Sequence, residues 1–227
     1  PSVHRAFDLE TAILAGDTLY SKAFEIALES GAGPNRTVRV LDQLATTCTE
    51  ICEGQALDIG FETQEAVSLD DYHDMIRRKT AVLYGASAAV PAILLGADDD
   101  TVETLYRFGI DVGQAFQIQD DVLDLTGSSE SLGKTRGSDL IEGKQTVVTM
   151  HAAERGVDLD EILGDEPDEE AIDAAVEALQ AAGSIDYARD TARQLVIDGK
   201  DRLSVLPDNE ARDILGDLAD YLIERDY

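Results

Sequence analysis

The sequence predicts an all-α fold, and three observations support this class. In almost every segment, apolar residues recur at three- and four-residue spacing, which is the period of one helix face. Ala and Leu are frequent, and both favour helix. No segment shows the sustained alternation of apolar and polar residues that indicates a strand. With 227 residues and 44% hydrophobic content, the chain can form one domain, 1–227, with a sizeable core.

The predicted helices follow one another and are separated by glycine- and proline-containing breaks. The Gly-Ala-Gly-Pro run at 31–34 separates the first two helices, and the stretch 96–100 separates the third from the fourth. Ser68 is a suitable N-cap for the third helix. Apolar periodicity defines the later helices. The predicted helices are 6–30, 38–61, 69–95, 101–126, 143–155, 168–182, 184–204 and 208–225.

The longest predicted connection, 127–143, contains Gly127, Gly133, Gly137 and Gly143. It follows a helix that carries several acidic residues near its end. Long ordered loops in compact domains often have a function. The connection is therefore a candidate lid over a site at the end of that helix.

The charge balance excludes one broad class of function. The chain has 47 acidic and 18 basic residues, which gives a formal net charge of -29. A general nucleic-acid binder is excluded, because such a surface repels the phosphate backbone. No apolar run approaches the roughly 20 residues of a membrane span. We therefore expect a soluble, cytoplasmic protein.

The acidic residues are spread along the whole chain, and Lys is scarce, with five copies among the 18 basic residues. This composition is typical of a protein from a salt-loaded cytoplasm, where concentrated ions screen self-repulsion. An ordinary acidic protein is the alternative interpretation.

The cysteines and histidines do not form a recognisable metal motif. Cys48 and Cys52 lie four residues apart in a helical pattern, and the histidines are His4, His73 and His151. These residues offer no plausible zinc cluster. We expect reduced, structural thiols.

Two acidic pentads, "DDYHD" at 70–74 and "DDVLD" at 120–124, share the pattern Asp-Asp-x-x-Asp. Ser68 precedes the first pentad as an N-cap, and Asp71 lies three residues later, as in a capping box. The carboxylates of this pentad fall at the start of the helix, where the helix dipole favours negative charge. The first pentad is therefore predicted to be a solvated helix start.

The second pentad lies near the C-terminal end of its predicted helix, where the dipole disfavours carboxylates. At about 100° per residue, Gln117, Asp120, Asp121 and Asp124 fall on one face with largely apolar flanks. Acids gathered in this way repel one another unless a cation neutralises them. An all-oxygen set without His or Cys suits Mg²⁺. A metal site and an acidic helix face both explain this pattern.

Scarce lysines accompany the second pentad. Lys134 and Lys144 follow it in "GKTRGSDLIEGKQT", and Lys79 lies in "RRKTAV" on the preceding long helix. Mg²⁺ held by carboxylates, with lysines opposite, can bind a diphosphate. For Lys79, the alternative is an ordinary side chain that lies along a helix face.

Four segments together resemble the trans-isoprenyl diphosphate synthases, the polyprenyl synthetase family of the farnesyl and geranylgeranyl type. They are "PSVHRAFDLETAILAGDTLYSKAFE", "EGQALDI", "IRRKTAVLYGASA" and "FQIQDDVLDLTGSSESLGKTRGSDLIEGKQT". The last is the most specific, because an aromatic-Gln pair, an Asp-Asp-x-x-Asp and two Gly-Lys elements occur in order. The resemblance extends over essentially the whole chain.

The resemblance implies a large bundle of antiparallel helices around a central cavity, usually as a homodimer. It implies a Mg²⁺-dependent prenyltransferase that condenses isopentenyl diphosphate with an allylic diphosphate. The expected product is a short-chain all-trans prenyl diphosphate for isoprenoid and lipid biosynthesis, either geranylgeranyl or farnesyl diphosphate.

The resemblance also implies roles for individual residues. The metal would be held by the second pentad, through Asp120, Asp121 and Asp124. Three lysines, Lys79, Lys134 and Lys144, would neutralise the departing diphosphate. The hydroxyl of Thr80 and the amide oxygen of Gln117 would face the developing allylic cation. Gln55 and Asp58 match a polar pair that lines the cavity and supports these groups.

Two other functions fit the same scaffold, a class I terpene cyclase or phytoene-type synthase and a non-catalytic regulatory subunit of a prenyl synthase. The paired Gly-Lys loop argues against a cyclase, and the acids and lysines argue against a regulatory subunit. The family's first Asp-rich motif should lie immediately before Pro1, and its absence favours the regulatory subunit. We expect the native polypeptide to carry on the order of 80 to 120 residues before Pro1, including that motif.

Overall fold

The structure is a computed structural model that describes residues 2–61, 64, 67–127, 136–164 and 167–224. These residues form helices and contain no strand, so the predicted all-α class is confirmed. The helices are α1 (Val3–Ala6), α2 (Leu9–Leu28), α3 (Pro34–Phe61), α4 (Leu69–Ile76), α5 (Val82–Leu95), α6 (Asp99–Thr126), α7 (Ser138–Ile141), α8 (Val147–Glu154), α9 (Leu159–Leu163), α10 (Glu169–Ala181), α11 (Ser184–Arg202) and α12 (Glu210–Glu224). A π-helical turn (Arg77–Ala81) joins α4 to α5, and a 3₁₀ turn (Leu203–Val205) follows α11.

Local capping explains where the observed helices depart from the predicted ones. The predicted helix 6–30 begins at Leu9 instead, because Asp8 caps α2 by accepting a hydrogen bond from the backbone nitrogen of Thr11 at 2.6 Å. The predicted helix 143–155 begins at Val147, because Thr146 is its N-cap. The predicted helix 69–95 is continuous in space but contains the π-helical turn.

Helix α6 lies at the centre of the fold. It packs against α5 and α11, and its residues Ala115, Ile118 and Val122 are completely buried. Gly113 lets the backbone of α6 approach the π-helical turn, because a Cβ at this position would lie 2.6 Å from the Cα of Ala81. Helix α3 packs against the other side of the turn and against α5. The second pentad, near the end of α6, is thus brought close to α3 and α4.

Helix α2 carries several exposed apolar side chains. Ala27 is its buried residue, whereas Leu9, Ile13, Leu19 and Ile26 are each more than half exposed. None of the helices in the described ranges has the length and apolarity needed to cross a membrane.

Candidate active site

A cavity of about 270 Å³ lies between α3, α4, the π-helical turn, α6 and the segment 139–146. Its wall combines apolar side chains with carboxylates, amides and two ammonium groups. The described lining residues are Asp58, Phe61, Tyr72, Met75, Ile76, Lys79, Gln117, Asp120, Asp121, Asp139, Lys144, Gln145 and Thr146.

The structure brings most of the predicted site residues together, although they come from distant parts of the chain. Those in the wall are Asp58 on α3, Lys79 in the π-helical turn, Gln117, Asp120 and Asp121 on α6, and Lys144 before α8. Gln55 and Thr80 lie outside the lining but donate hydrogen bonds to residues in it. Asp124 lies outside the lining. Lys134 lies outside the described residues.

Asp121 is 7% exposed, whereas Asp120 beside it is exposed. The hydroxyl of Tyr72 donates to Oδ2 of Asp121 at 2.7 Å, and Nε2 of Gln117 donates to Oδ1 at 3.1 Å. Burial raises the pKa of Asp121 to about 7 in spite of these two hydrogen bonds, and the nearby carboxylates of Asp139 and Asp120 contribute to the rise. The surroundings therefore disfavour the negative charge on Asp121, which a bound cation would stabilise.

Lys79 is held at the wall by the predicted polar pair on α3. Its Nζ donates to Oδ2 of Asp58 at 2.6 Å, and Nε2 of Gln55 donates to the same oxygen at 3.3 Å. Asp58 thus supports both neighbours, and it sets the position of the ammonium group in the cavity.

Lys144 makes a second ion pair in the same wall. Its Nζ lies 2.7 Å from Oδ1 of Asp139 and 2.8 Å from Oε2 of Glu142. Burial lowers the pKa of Lys144, but the hydrogen bonds to these two carboxylates outweigh burial and raise the pKa above its ordinary value. Lys144 therefore keeps its positive charge at neutral pH.

Thr80 and Gln117 belong to one chain of hydrogen bonds. Oγ1 of Thr80 donates to Oε1 of Gln117 at 2.7 Å, while the amide nitrogen of Gln117 donates to Asp121. The chain runs from Thr80 through Gln117 and Asp121 to Tyr72. It fixes two oxygen atoms beside the cavity, those of the Thr80 hydroxyl and the Gln117 amide.

Asp124 has different surroundings from Asp120 and Asp121. It is 0% exposed, and its two carboxylate oxygens accept hydrogen bonds from Oγ of Ser138 at 2.7 Å and from the backbone nitrogen of Asp139 at 3.0 Å. These contacts join the end of α6 to the start of α7. Asp124 therefore has a structural role. The family resemblance implied only a role as a metal ligand.

The first pentad begins α4, as predicted. The side chain of Ser68 accepts a hydrogen bond from the backbone nitrogen of Asp71 at 3.1 Å, and Oδ2 of Asp71 accepts one from the backbone nitrogen of Ser68 at 3.1 Å. This reciprocal pair is a capping box. Asp74 forms ion pairs with Arg78 at 2.8 Å and with Arg77 at 3.4 Å. The prediction of a helix start is confirmed.

Tyr72 and Asp139 are site residues that the sequence did not predict. Asp139 lies between Lys134 and Lys144 in "GKTRGSDLIEGKQT". Its position between two candidate site lysines could have indicated that it belongs to the site. Tyr72 lies inside the first pentad, and its partner Asp121 is 49 residues away. No local sequence pattern predicts a contact between residues so far apart in the chain.

The oxygen donors of the cavity suit a metal ion that is shared with a ligand. In the described ranges, no group of three or more His, Cys, Asp or Glu side chains is arranged to hold a metal by itself. Asp120 and Asp121 lie side by side at the cavity. Mg²⁺ commonly takes one or two protein carboxylates and completes its shell with water and substrate phosphates. The residues present therefore fit Mg²⁺ bound together with a phosphorylated ligand.

Comparison with known sequences identifies related proteins over the whole chain. A sequence model of the polyprenyl synthetase family matches residues 1–179. A geranylfarnesyl diphosphate synthase of Natronomonas pharaonis is 60% identical over 227 residues, which are 100% of this chain and 67% of that protein. A geranylgeranyl diphosphate synthase of Methanosarcina mazei is 47% identical over 227 residues, 100% of this chain and 70% of that protein.

Solved structures share the same architecture. A geranylgeranyl pyrophosphate synthetase from the archaeon Geoglobus acetivorans matches with a TM-score of 0.88 and 43% identity, over 98% of this chain and 70% of that chain. A polyprenyl synthase from Caulobacter crescentus, complexed with calcium and isoprenyl diphosphate, matches with a TM-score of 0.88 and 30% identity, over 99% of this chain and 69% of that chain.

Proposed function

The chain belongs to the polyprenyl synthetase family, and from this membership we propose that it condenses isopentenyl diphosphate with an allylic diphosphate in a Mg²⁺-dependent reaction. It is a trans-prenyltransferase of the class that makes short-chain prenyl diphosphates for isoprenoid biosynthesis. One observation carries the detailed proposal, namely the cavity that contains Asp120, Asp121, Lys79 and Lys144 together.

The proposed reaction begins when the bond between the allylic carbon and the diphosphate oxygen breaks. The double bond of isopentenyl diphosphate attacks the resulting cation. The released diphosphate then accepts a proton from the adduct, and the electron pair of that C–H bond forms the double bond of the lengthened chain. The main requirement is stabilisation of the negative charge on the departing diphosphate, which positioned cations provide. Bound Mg²⁺ would supply Lewis-acid stabilisation of that diphosphate.

The residues of the cavity have different proposed roles in this reaction. We propose that Asp120 and Asp121 hold the metal, and that Lys79 and Lys144 bind the diphosphate oxygens. By family resemblance Lys134 joins these lysines. The oxygen atoms of Thr80 and Gln117, which the hydrogen-bond chain fixes beside the cavity, stabilise the allylic cation.

The metal proposal has support from a related protein. The polyprenyl synthase from Caulobacter crescentus is complexed with calcium and isoprenyl diphosphate. A divalent cation therefore accompanies this class of ligand in a protein of the same fold. The all-oxygen donor set in the present cavity suits a hard cation of that kind.

The product is proposed to be geranylgeranyl diphosphate, which is one of the two products that the family resemblance implies, the other being farnesyl diphosphate. Relatives from Methanosarcina mazei and Geoglobus acetivorans are named for geranylgeranyl diphosphate. Geranylfarnesyl diphosphate is the second candidate, because the relative named for that product is 60% identical to this chain.

The product can be identified directly. The native protein is incubated with Mg²⁺, labelled isopentenyl diphosphate and each allylic diphosphate in turn, and the products are dephosphorylated and separated by chain length. We expect an all-trans alcohol longer than the allylic substrate. A cyclase would release diphosphate without a longer prenyl chain, and a regulatory subunit would produce neither.

We also propose that the protein is a homodimer that associates through α2. Several large apolar side chains of α2 are more than half exposed, and exposed apolar residues that cluster on one element are typical of an interaction site. Leu19 and Ile26, spaced seven apart on one face, are 70% and 68% exposed.

Light scattering after size-exclusion chromatography should give twice the monomer mass. Leu19→Glu with Ile26→Glu should give the monomer, whereas Leu95→Glu, at an 83% exposed site on α5, should leave the dimer intact.

The composition supports a further proposal, that the protein works in a salt-rich cytoplasm. Its net charge of -29 imposes self-repulsion that concentrated ions screen. The thermal unfolding midpoint is therefore expected to rise as KCl increases into the molar range. A midpoint that stays constant over this range would contradict the proposal.

A further inference from the structure

Three consecutive basic residues of the π-helical turn form ion pairs, in order, with three acids of α3. Arg77 pairs with Glu50 at 3.2 Å, and Arg78 pairs with Glu53 at 2.6 Å. Lys79 pairs with Asp58 at 2.6 Å. We call these three ion pairs the charge ladder. Its last rung lies in the wall of the cavity, whereas its first two rungs lie outside the lining.

Glycines of two neighbouring helices allow close packing against the same turn. A Cβ at Gly54 of α3 would overlap the backbone nitrogen of Lys79, and a Cβ at Gly113 of α6 would lie 2.6 Å from the Cα of Ala81. The turn therefore contacts the backbones of α3 and α6 directly. From the α4 side, Asp74 binds both Arg77 and Arg78.

A π-helical turn needs such support from its surroundings. The i→i+5 pattern is rare in proteins, and single π-helical turns inside α-helices often occur at functional sites. Here the turn directs Lys79 toward Asp58 on α3 and the next residue, Thr80, toward Gln117 on α6. Two neighbouring residues thus reach two different helices around the cavity.

We propose that the first two rungs of the charge ladder are a positioning device for the reaction. Glu50 and Glu53 hold Arg77 and Arg78, and these hold the turn in the register that places Lys79 and Thr80. The inference rests on the proposed function for the roles of Lys79 and Thr80. It adds four residues that do not touch the cavity.

The test removes both outer rungs with Glu50→Gln and Glu53→Gln in the native protein. Each rung is partly exposed and is expected to be weak alone, so the double variant is needed. We expect kcat/KM for the allylic diphosphate to fall about tenfold, because small displacements of positioned groups are costly to catalysis. The KM for isopentenyl diphosphate should stay within about twofold, because Lys79 is proposed to act on the allylic diphosphate.

A matched control removes two carboxylates whose ion pairs lie outside the cavity and the turn. Asp99→Asn and Glu103→Gln break the exposed pairs with Arg39 and Arg107, and they change the net charge by the same amount. This variant should keep the kinetic constants of the unaltered protein. Circular dichroism establishes that both double variants are folded. If the ladder double variant does not fold, Glu50→Asp with Glu53→Asp takes its place, because these substitutions keep both charges and shorten both side chains that reach Arg77 and Arg78.

Binding of inorganic diphosphate with MgCl₂, followed by calorimetry, gives a second measurement that does not depend on turnover. The proposal expects weaker binding in the ladder variant than in the control. Equal diphosphate affinity and equal allylic kcat/KM in the two variants would overturn it. If the unaltered protein elongates no substrate, the proposed function fails, whereas the comparison of diphosphate affinities still decides the role of the ladder.

Discussion

The two acidic pentads have the same pattern of aspartates but opposite surroundings. In 70–74, Asp71 is exposed and belongs to the capping box that begins α4. In 120–124, Asp121 and Asp124 are buried near the end of α6. At a helix start, backbone N–H groups and the dipole stabilise carboxylates, whereas near a helix end they require other partners. The position in the helix therefore separates a structural acid from a candidate ligand.

The two pentads also meet in space. Tyr72 belongs to the first, and its hydroxyl donates to Asp121 of the second. The first pentad, which begins α4, thus contributes a hydrogen-bond donor to the candidate metal site. Substitutions in the two segments can separate these roles.

The largest effect is expected for the cavity acids of the second pentad. Asp120→Asn and Asp121→Asn each remove a charge from the proposed metal site, and kcat should fall on the order of 100- to 1000-fold. Steady-state kinetics measure the loss, and titration with Mn²⁺ in the presence of diphosphate measures metal affinity. Unchanged turnover and metal affinity would refute this assignment.

Asp124→Asn should separate the third acid of this pentad from the first two. We expect unfolding free energy to fall by about 1–3 kcal/mol, because buried hydrogen bonds from Ser138 and Asp139 are weakened. Mn²⁺ affinity should stay close to that of the unaltered protein. Ser138→Ala removes one of these donors and serves as the matched variant. If Asp124→Asn weakens metal binding as much as Asp120→Asn does, Asp124 is a ligand.

Tyr72→Phe tests the contact between the pentads. Loss of the hydroxyl removes a donor from the buried Asp121, so unfolding free energy should fall by about 1–2 kcal/mol. Turnover should fall several-fold, because Asp121 loses a group that orients it. Urea unfolding and kinetics measure the two effects. Tyr221→Phe, at a side chain 64% exposed on α12, is the control and should change neither quantity.

The smallest effect is expected for the first pentad. Asp70→Asn with Asp71→Asn weakens the capping box and the favourable charge at the start of α4. The thermal midpoint should fall slightly, and turnover should stay within about twofold, since a cap acts on helix stability. Loss of turnover comparable to that of Asp120→Asn would reverse the assignment of the two pentads.

Sequence patterns predicted those features that depend on local order. Helical periodicity placed Gln117, Asp120 and Asp121 on one face, and residue spacing predicted the capping box of Ser68 and Asp71. These signals extend over one or two helical turns, which a sequence window contains.

Features that depend on tertiary packing were not predictable in this way. The sequence "RRKTA" contains no helix breaker, and its apolar neighbours continue the helical period, so nothing marks it as a π-helical turn. The turn lies where Gly54 of α3 and Gly113 of α6 approach its backbone closely. Both glycines are distant from it in sequence. The burial of Asp124 likewise depends on Ser138 and Asp139 folding back onto the end of α6.

The ion pairs of Lys79 with Asp58 and of Lys144 with Asp139 also affect how ligand binding responds to salt. Both ammonium groups already have anionic partners, so a diphosphate bound as proposed would exchange one anion for another around each lysine. Screening by salt weakens the pairs that are lost as well as those that are gained. The two effects oppose each other, and few ions are exchanged with the solvent. Diphosphate affinity should therefore change little with KCl concentration, as the proposed work in a salt-rich cytoplasm would require.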